Sequence, residues 1–163
     1  VAKAVAQVRA AVPDLLWCVI GDGPERGRLE QLVVENKAQD SVMWLGAVFE
    51  EAALAPWFLS ATVMVHPSGI GLSLMKAFGY GVPVITHGNE KNQMPEYAAL
   101  VDGKNGLTFA EGSVEDLSEK LLFLLKDEAL RRRLSEHARE TVRRHYNTAV
   151  MAQRFVTLLD KVR

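Results

Sequence analysis

The chain has a single cysteine, Cys18, among its 163 residues. One thiol builds no disulfide framework, so the fold rests on an apolar core and suits a reducing compartment. Cys18 lies inside the apolar run Leu15–Ile20, where it reads as a small core residue. No apolar run approaches the roughly 18 residues needed to span a bilayer, and no signal peptide is evident. The expected location is therefore the cytoplasm, without a transmembrane segment. Charge of one sign is also missing. A formal net charge of −1 leaves no basic stripe for phosphate tracking and argues against a nucleic-acid partner. The four histidines lack ligand spacing, so no metal is expected; His66 and His87 read as satisfied histidines at strand ends. There is no internal repeat, low-complexity segment or long linker.

What the chain does have is apolar content, 48% of its residues, enough to bury a core for one domain over residues 1–163. Strand-like and helix-like runs alternate. Strands are predicted near 15–20, 42–45, 62–66, 83–86 and 107–109. Helices are predicted over 2–12, 24–36, 50–60 (interrupted near Pro56), 72–80 and about 94–100. Such alternation, with Leu, Ile and Val runs buried on both faces, predicts a doubly wound α/β fold: a mostly parallel, Rossmann-like sheet with helices on both faces. From Ser113 the pattern becomes all-helical and gives a C-terminal helical segment, 113–163. Ser113 and Asp116 sit at capping-box positions, and Leu130, Leu134, Ala138 and Val142 recur in steps of four. The arginines at 131, 132, 133, 139, 143 and 144 are interleaved with acids. They fit a solvated helix face or, alternatively, an anionic membrane surface. The chain opens in a helix, whereas a doubly wound sheet opens on a strand that lies mid-sheet. It therefore reads as a piece of a longer protein whose first strand is missing.

Three segments carry chemistry. Gly21, Asp22, Gly23 and Pro24 follow the first visible strand; with Gly27 they spell G-x-G-x-x-x-G, a near miss to the dinucleotide fingerprint. Pro24 in the turn and the lack of a ribose-binding acid after the next strand count against a nicotinamide site, and a purely structural tight turn is the alternative. Gly46 ends the second strand, and Ala47, Val48 and Phe49 follow on the edge where such sheets bind ligands; an apolar wall for a base and an ordinary turn fit equally. Most informative is Val63–Ile85: strand, glycine-bearing loop, helix, Gly81 stop, strand. There Ser68, Gly69, Ile70, Gly71 and Leu72 lead into a helix start, where backbone N–H groups and the helix dipole favour an anion such as diphosphate.

The strings VIGDGPERGRLEQL, VMWLG, VMVHPSGIGLSLMKAFGYGVPVIT and PEYAALVDGKNGLTF, in this order, resemble the C-terminal donor-binding domain of family 4 (group 1) glycosyltransferases, which have the two-domain GT-B fold. The likeness runs over nearly the whole chain. It implies a retaining, metal-independent transfer of a sugar from a nucleoside diphosphate (a UDP- or GDP-sugar) to an acceptor, with no further cofactor. The partners implied are the nucleotide sugar and an N-terminal acceptor domain that this chain lacks, and peripheral membrane contact of the full enzyme stays open. The resemblance implies that Gly21–Pro24 border the donor, that Gly46 and Val48 flank the base, and that Gly69–Leu72 offer N–H groups to diphosphate and sugar. Glu96 matches a Pro-Glu of the family, and helix capping explains it as well. Two glutamates usual in the family are here Ser68 and Lys76. Lysine is donor-only and cannot accept from ribose hydroxyls; it could pair with a phosphate instead, and Arg26 and Lys91 are the other cations near the site. Two further readings stay open: a degenerate GT-B domain acting as a binding module, and a GT-B nucleotide-sugar epimerase.

Overall fold

A computed structural model describes residues 1–162. In chain order it contains α1 (Ala2–Arg9), β1 (Trp17–Ile20), α2 (Arg26–Glu35), β2 (Val42–Gly46), α3 (Glu51–Ser60), β3 (Met64–His66), α4 (Leu72–Tyr80), β4 (Val84–His87), β5 (Gly106–Phe109), α5 (Val114–Lys126), α6 (Glu128–His145) and α7 (Thr148–Val162). Each predicted strand is found within about two residues of its predicted limits, and every strand pair is parallel.

The strands form two sheets, β1–β2 and β3–β4–β5. The division falls between β1 and β3, where the sequence reading leaves room for an opening strand. Helix α1 spans it. Ala4 and Val8 join Ile85, Leu107, Phe109 and the leucines of α5 and α6 in one core cluster. Ala2 and Val5, on another side of α1, join Val33 and Ala38 beneath β1–β2. The other face of β3–β4–β5 is covered by α4: Leu74, Ala77 and Phe78 pack with Ile70, Val84, Leu100 and Ala138. Successive strand residues point to opposite faces, so Val84 enters one cluster and Ile85 the other, and all four residues of β4 are buried.

Local chemistry sets the element ends. Gly81 takes φ 73°, the left-handed conformation that stops α4. The Arg139 guanidinium from α6 lies against Gly81 and donates to the Tyr80 carbonyl at 3.1 Å. The Ser113 hydroxyl accepts from the Asp116 N–H at 3.1 Å and caps α5. Asp127 caps α6 through the Leu130 N–H. Arg131 donates to the free carbonyls of Leu124 and Leu125 at the end of α5. With Arg132 on Glu128 and Arg144 on Glu140, four of the six tract arginines are engaged within the molecule.

Three expectations need correction. Helix α3 runs through Pro56 without interruption. The carbonyl that Pro56 cannot bond belongs to Ala52, and both residues are exposed, so water can satisfy it. The segment near Met94–Leu100 is a 3₁₀ turn, Pro95–Ala99. Cys18 is only partly buried, because the β1–β2 sheet is thinly covered. Helix α7 packs on α6 and leaves Met151, Phe155, Val156, Leu158 and Leu159 exposed, each by about half or more. No helix among the described residues is long and apolar enough to cross a membrane.

Candidate functional site

In a parallel sheet ligands gather outside the strand carboxyl ends, and the three glycine-bearing segments all begin there. Gly21 leaves β1 at φ 137° and Gly46 leaves β2 at φ 67°. The Gly21 N–H donates to the Gly46 carbonyl at 2.7 Å, which joins these two loops into one ledge. On it the Asp22 carboxylate accepts from the Gly23 N–H at 2.8 Å and pairs with Arg26 at 3.5 Å. Arg26 also bonds Glu30 and lies over the Trp44 ring, 5.7 Å from its centroid. Arg26 is thus committed to its own side of the molecule. Pro24 is exposed at the turn and Val48 is half-buried, whereas the neighbouring Phe49 is 88% exposed, a large aromatic face left open to solvent.

The third segment leaves β3 at His66. Its ring Nδ1 lies 3.0 Å from the Ser68 carbonyl, and the Thr86 hydroxyl donates to the same oxygen at 3.5 Å. The Ser68 side chain is exposed and unbonded among the described residues. Gly69 passes the backbone of the next loop so closely that a Cβ would sit 2.7 Å from the Asn92 carbonyl oxygen. Any side chain there would force the two loops apart. Ile70 is wholly buried and anchors the loop in the core.

Ile70 also corrects an expectation. Its N–H does not point into the site; it donates to Gln93 Oε1 at 2.8 Å. Gln93 in turn donates to the Thr86 hydroxyl and the His87 carbonyl, so it locks the loops after β3 and β4 together. The free donors begin one residue later. Helix α4 has Gly71 as N-cap with no side-chain cap. The N–H groups of Gly71, Leu72 and Ser73 have no partner among the described residues. Leu72 is 74% exposed, which leaves this helix end open. Unpartnered donors at the positive end of a helix are the kind of feature that favours an anion. The Glu96 carboxylate stands nearby, 3.9 Å from where a Gly71 Cβ would lie. A cavity of about 450 Å³, lined by Glu90, Gln93, Met94, Pro95, Tyr97, Ala98 and Leu100, adjoins this corner.

The loop after β4 is held from below. Glu111 accepts from Asn89 Nδ2 at 2.6 Å and from Asn92 Nδ2 at 2.8 Å, bonds that lower its carboxyl pKa. Buried His87 accepts from the Asn89 N–H through Nδ1, leaving Nε2 to face Glu111 at 3.9 Å. The resulting network places the Asn92 carbonyl beneath Gly69.

Lys76, one turn along α4 from Leu72, is not a free cation. Its Nζ lies 2.6 Å from Glu51 Oε2, at the start of α3. Glu51 and Gln93 were not singled out from sequence. Their partners lie 25 and 23 residues away, and no local pattern announces such pairs. Lys91, the remaining candidate cation, is exposed on the loop after β4.

The comparisons agree with this architecture. The profile of "Glycosyl transferases group 1" matches residues 1–141. The chain belongs to that family. Among curated relatives, the N-acetyl-alpha-D-glucosaminyl L-malate synthase of Bacillus anthracis is 29% identical over 97% of this chain. Of that enzyme's length, 40% is covered, so the chain spans well under half of the relative it matches. Among solved structures, sucrose-phosphate synthase from Thermosynechococcus elongatus superposes with a TM-score of 0.79 at 26% identity, over 99% of this chain and 42% of that one. A TarM variant from S. aureus, solved with UDP among its ligands, gives a TM-score of 0.83 at 18% identity, over 96% and 31%. The fold is that of the C-terminal, Rossmann-like half of a GT-B glycosyltransferase.

Proposed function

We propose that this chain is the donor-binding half of a glycosyltransferase active site, seating the diphosphate of a UDP- or GDP-sugar on the N-terminus of α4. The observation that carries the reading is the trio of unpartnered N–H groups at Gly71, Leu72 and Ser73, reached by a loop whose Gly69 tolerates no side chain. Donors fixed in advance need no reorganisation as negative charge builds on the departing diphosphate. The ledge of Gly21–Pro24 and Gly46–Val48 borders the nucleoside, and Ser68 reaches the sugar hydroxyls as a neutral partner. The UDP present in the TarM structure and in that of Anabaena Alr3699/HepE supports a uridine nucleotide as the first ligand to test.

Transfer with retention of configuration and without a metal ion follows from the family resemblance. It needs an acceptor-binding partner domain across the cleft, so the chain alone should bind nucleotide and turn over no sugar. Positioning two reactants contributes on the order of 7–11 kcal/mol in well-oriented reactions, and this half positions only one of them. The absence of carboxylates at Ser68 and Lys76 favours a second reading, a binding module that has lost transfer. Calorimetry with UDP, GDP, ADP and inorganic diphosphate tests the site common to both readings. A donor site prefers one nucleoside diphosphate over diphosphate alone, and equal or absent binding of all four contradicts it. Sugar transfer after pairing with the remainder of a full-length relative would separate the enzyme from the binding module.

A further inference from the structure

Glu51 opens α3 directly after the loop that leaves β2. Its side chain is 57% exposed, yet both oxygens are held. Lys76 Nζ donates to Oε2 at 2.6 Å, and the Tyr80 hydroxyl donates to Oε1 at 2.5 Å. The Tyr80 ring is stacked on Phe58 of α3, with centroids 5.3 Å apart, so the two helices are braced around the carboxylate. The Lys76 bond, helped by Tyr80, keeps the Glu51 carboxyl below its ordinary pKa. This is an ionised acid fixed in orientation and open to solvent.

Its position is informative. Lys76 and Tyr80 hold Glu51, the first residue of α3, against the flank of α4, while Phe58 further along α3 stacks on Tyr80 at the end of α4. Lys76 stands about 6 Å along the axis from Leu72, where the free N–H groups lie. A carboxylate accepts at roughly four lone-pair sites, and two of these are used. It would repel a phosphate but suits paired hydroxyl donors beside one. A nucleoside diphosphate carries such a pair, the vicinal ribose hydroxyls, a few ångströms from its α-phosphorus. We infer that Glu51 accepts hydrogen bonds from the ribose diol of the nucleotide whose diphosphate rests on α4, with Lys76 and Tyr80 as its positioning residues. This inference rests on the donor-site reading above. It gives Lys76 a role as the holder of an acceptor, in place of a phosphate contact.

The test is calorimetry with UDP and GDP and with their 2′,3′-dideoxy counterparts, on the wild-type chain and on Glu51→Gln and Lys76→Met, with thermal midpoints recorded as a folding control. The wild type should bind the ribose form about tenfold more tightly than its dideoxy counterpart, a difference of about 1.4 kcal/mol. Glu51→Gln should weaken the ribose form toward the level of the dideoxy form and leave the dideoxy form unchanged. Lys76→Met should narrow the same ratio. Equal wild-type affinity for the two forms, a measurement that needs no variant, would overturn the inference while the donor site stood. So would an equal loss of both forms in Lys76→Met, the signature of a phosphate contact. Wild-type chain that binds neither UDP nor GDP would overturn the donor site and this inference with it.

Discussion

The two sheets of this domain differ in how deeply they are built. In β3–β4–β5 the central strand is buried along its length, and helices cover both faces. In β1–β2 no strand residue is fully buried, and α2 contributes only Val33 to the core. The site is divided the same way. The open N-terminus of α4, the proposed diphosphate seat, stands on the deep side, fixed by buried Ile70 and by Gln93. The proposed nucleoside ledge stands on the shallow side, joined by one hydrogen bond between glycines. On the proposed reading, chemistry common to all nucleoside diphosphates falls on the stiff half. The part that must distinguish one base from another is placed on the half that can yield, in keeping with the lower local stability expected where few apolar contacts are made.

The largest test of this contrast is a pair of core truncations. Phe78→Ala removes a wholly buried ring beneath α4 and should cost about 3–5 kcal/mol of unfolding free energy. Val33→Ala, in the small cluster under β1–β2, should cost about 1–2 kcal/mol at ~0.8 kcal/mol per buried carbon. Denaturant melts of the two variants measure both, and equal losses would erase the distinction.

Next comes the close approach at Gly69. Gly69→Ala must push away the Asn92 carbonyl and with it the alignment of the N–H groups that follow. A charge-assisted contact is worth about 1.5–3 kcal/mol, so nucleoside diphosphate affinity should fall about tenfold or more. Gly23→Ala, where a Cβ meets open space, should fall far less. Titration of both variants with UDP compares the stiff and the yielding side directly.

A smaller effect concerns pH. The bonds from Asn89 and Asn92 depress the folded-state pKa of Glu111. The stability this contributes is fully present above the ordinary carboxylate pKa and is lost as pH falls through the depressed value. Thermal midpoints of the wild type should drop across that acidic window, and Glu111→Gln should show a shallower drop there. Identical slopes would mean that the carboxylate does not brace the loop under Gly69.

Much of the deep side was legible in the sequence. Val63–Val65, the glycines at 69 and 71, and Gly81 before Pro83 mark strand, loop, helix and stop in order, because each step has a local cause. Ser113 and Asp116 announced a cap for the same reason. Pairings across long loops were not legible. Gln93 takes the Ile70 N–H that the sequence assigns to a ligand, and Glu51 takes the ammonium of Lys76. Both depend on how two loops or helices dock, which periodicity does not encode. Pro56 misled because a proline costs a helix one hydrogen bond and a clash without always ending it, and here the exposed Ala52 carbonyl is open to water while α3 continues. Helix α7 packs on α6, and much of its apolar stripe stays open to solvent, a docking outcome that its periodicity does not settle.

The central claim, that the start of α4 seats a diphosphate, is tested most directly by titrating the ¹⁵N-labelled chain with UDP and following the backbone amides. The account predicts that the largest shifts fall on Gly71, Leu72 and Ser73, with smaller ones at Gly21–Gly23 and at Gly46–Val48, and little change on α7. Unmoved amides at residues 71–73, with saturable shifts elsewhere, would contradict it.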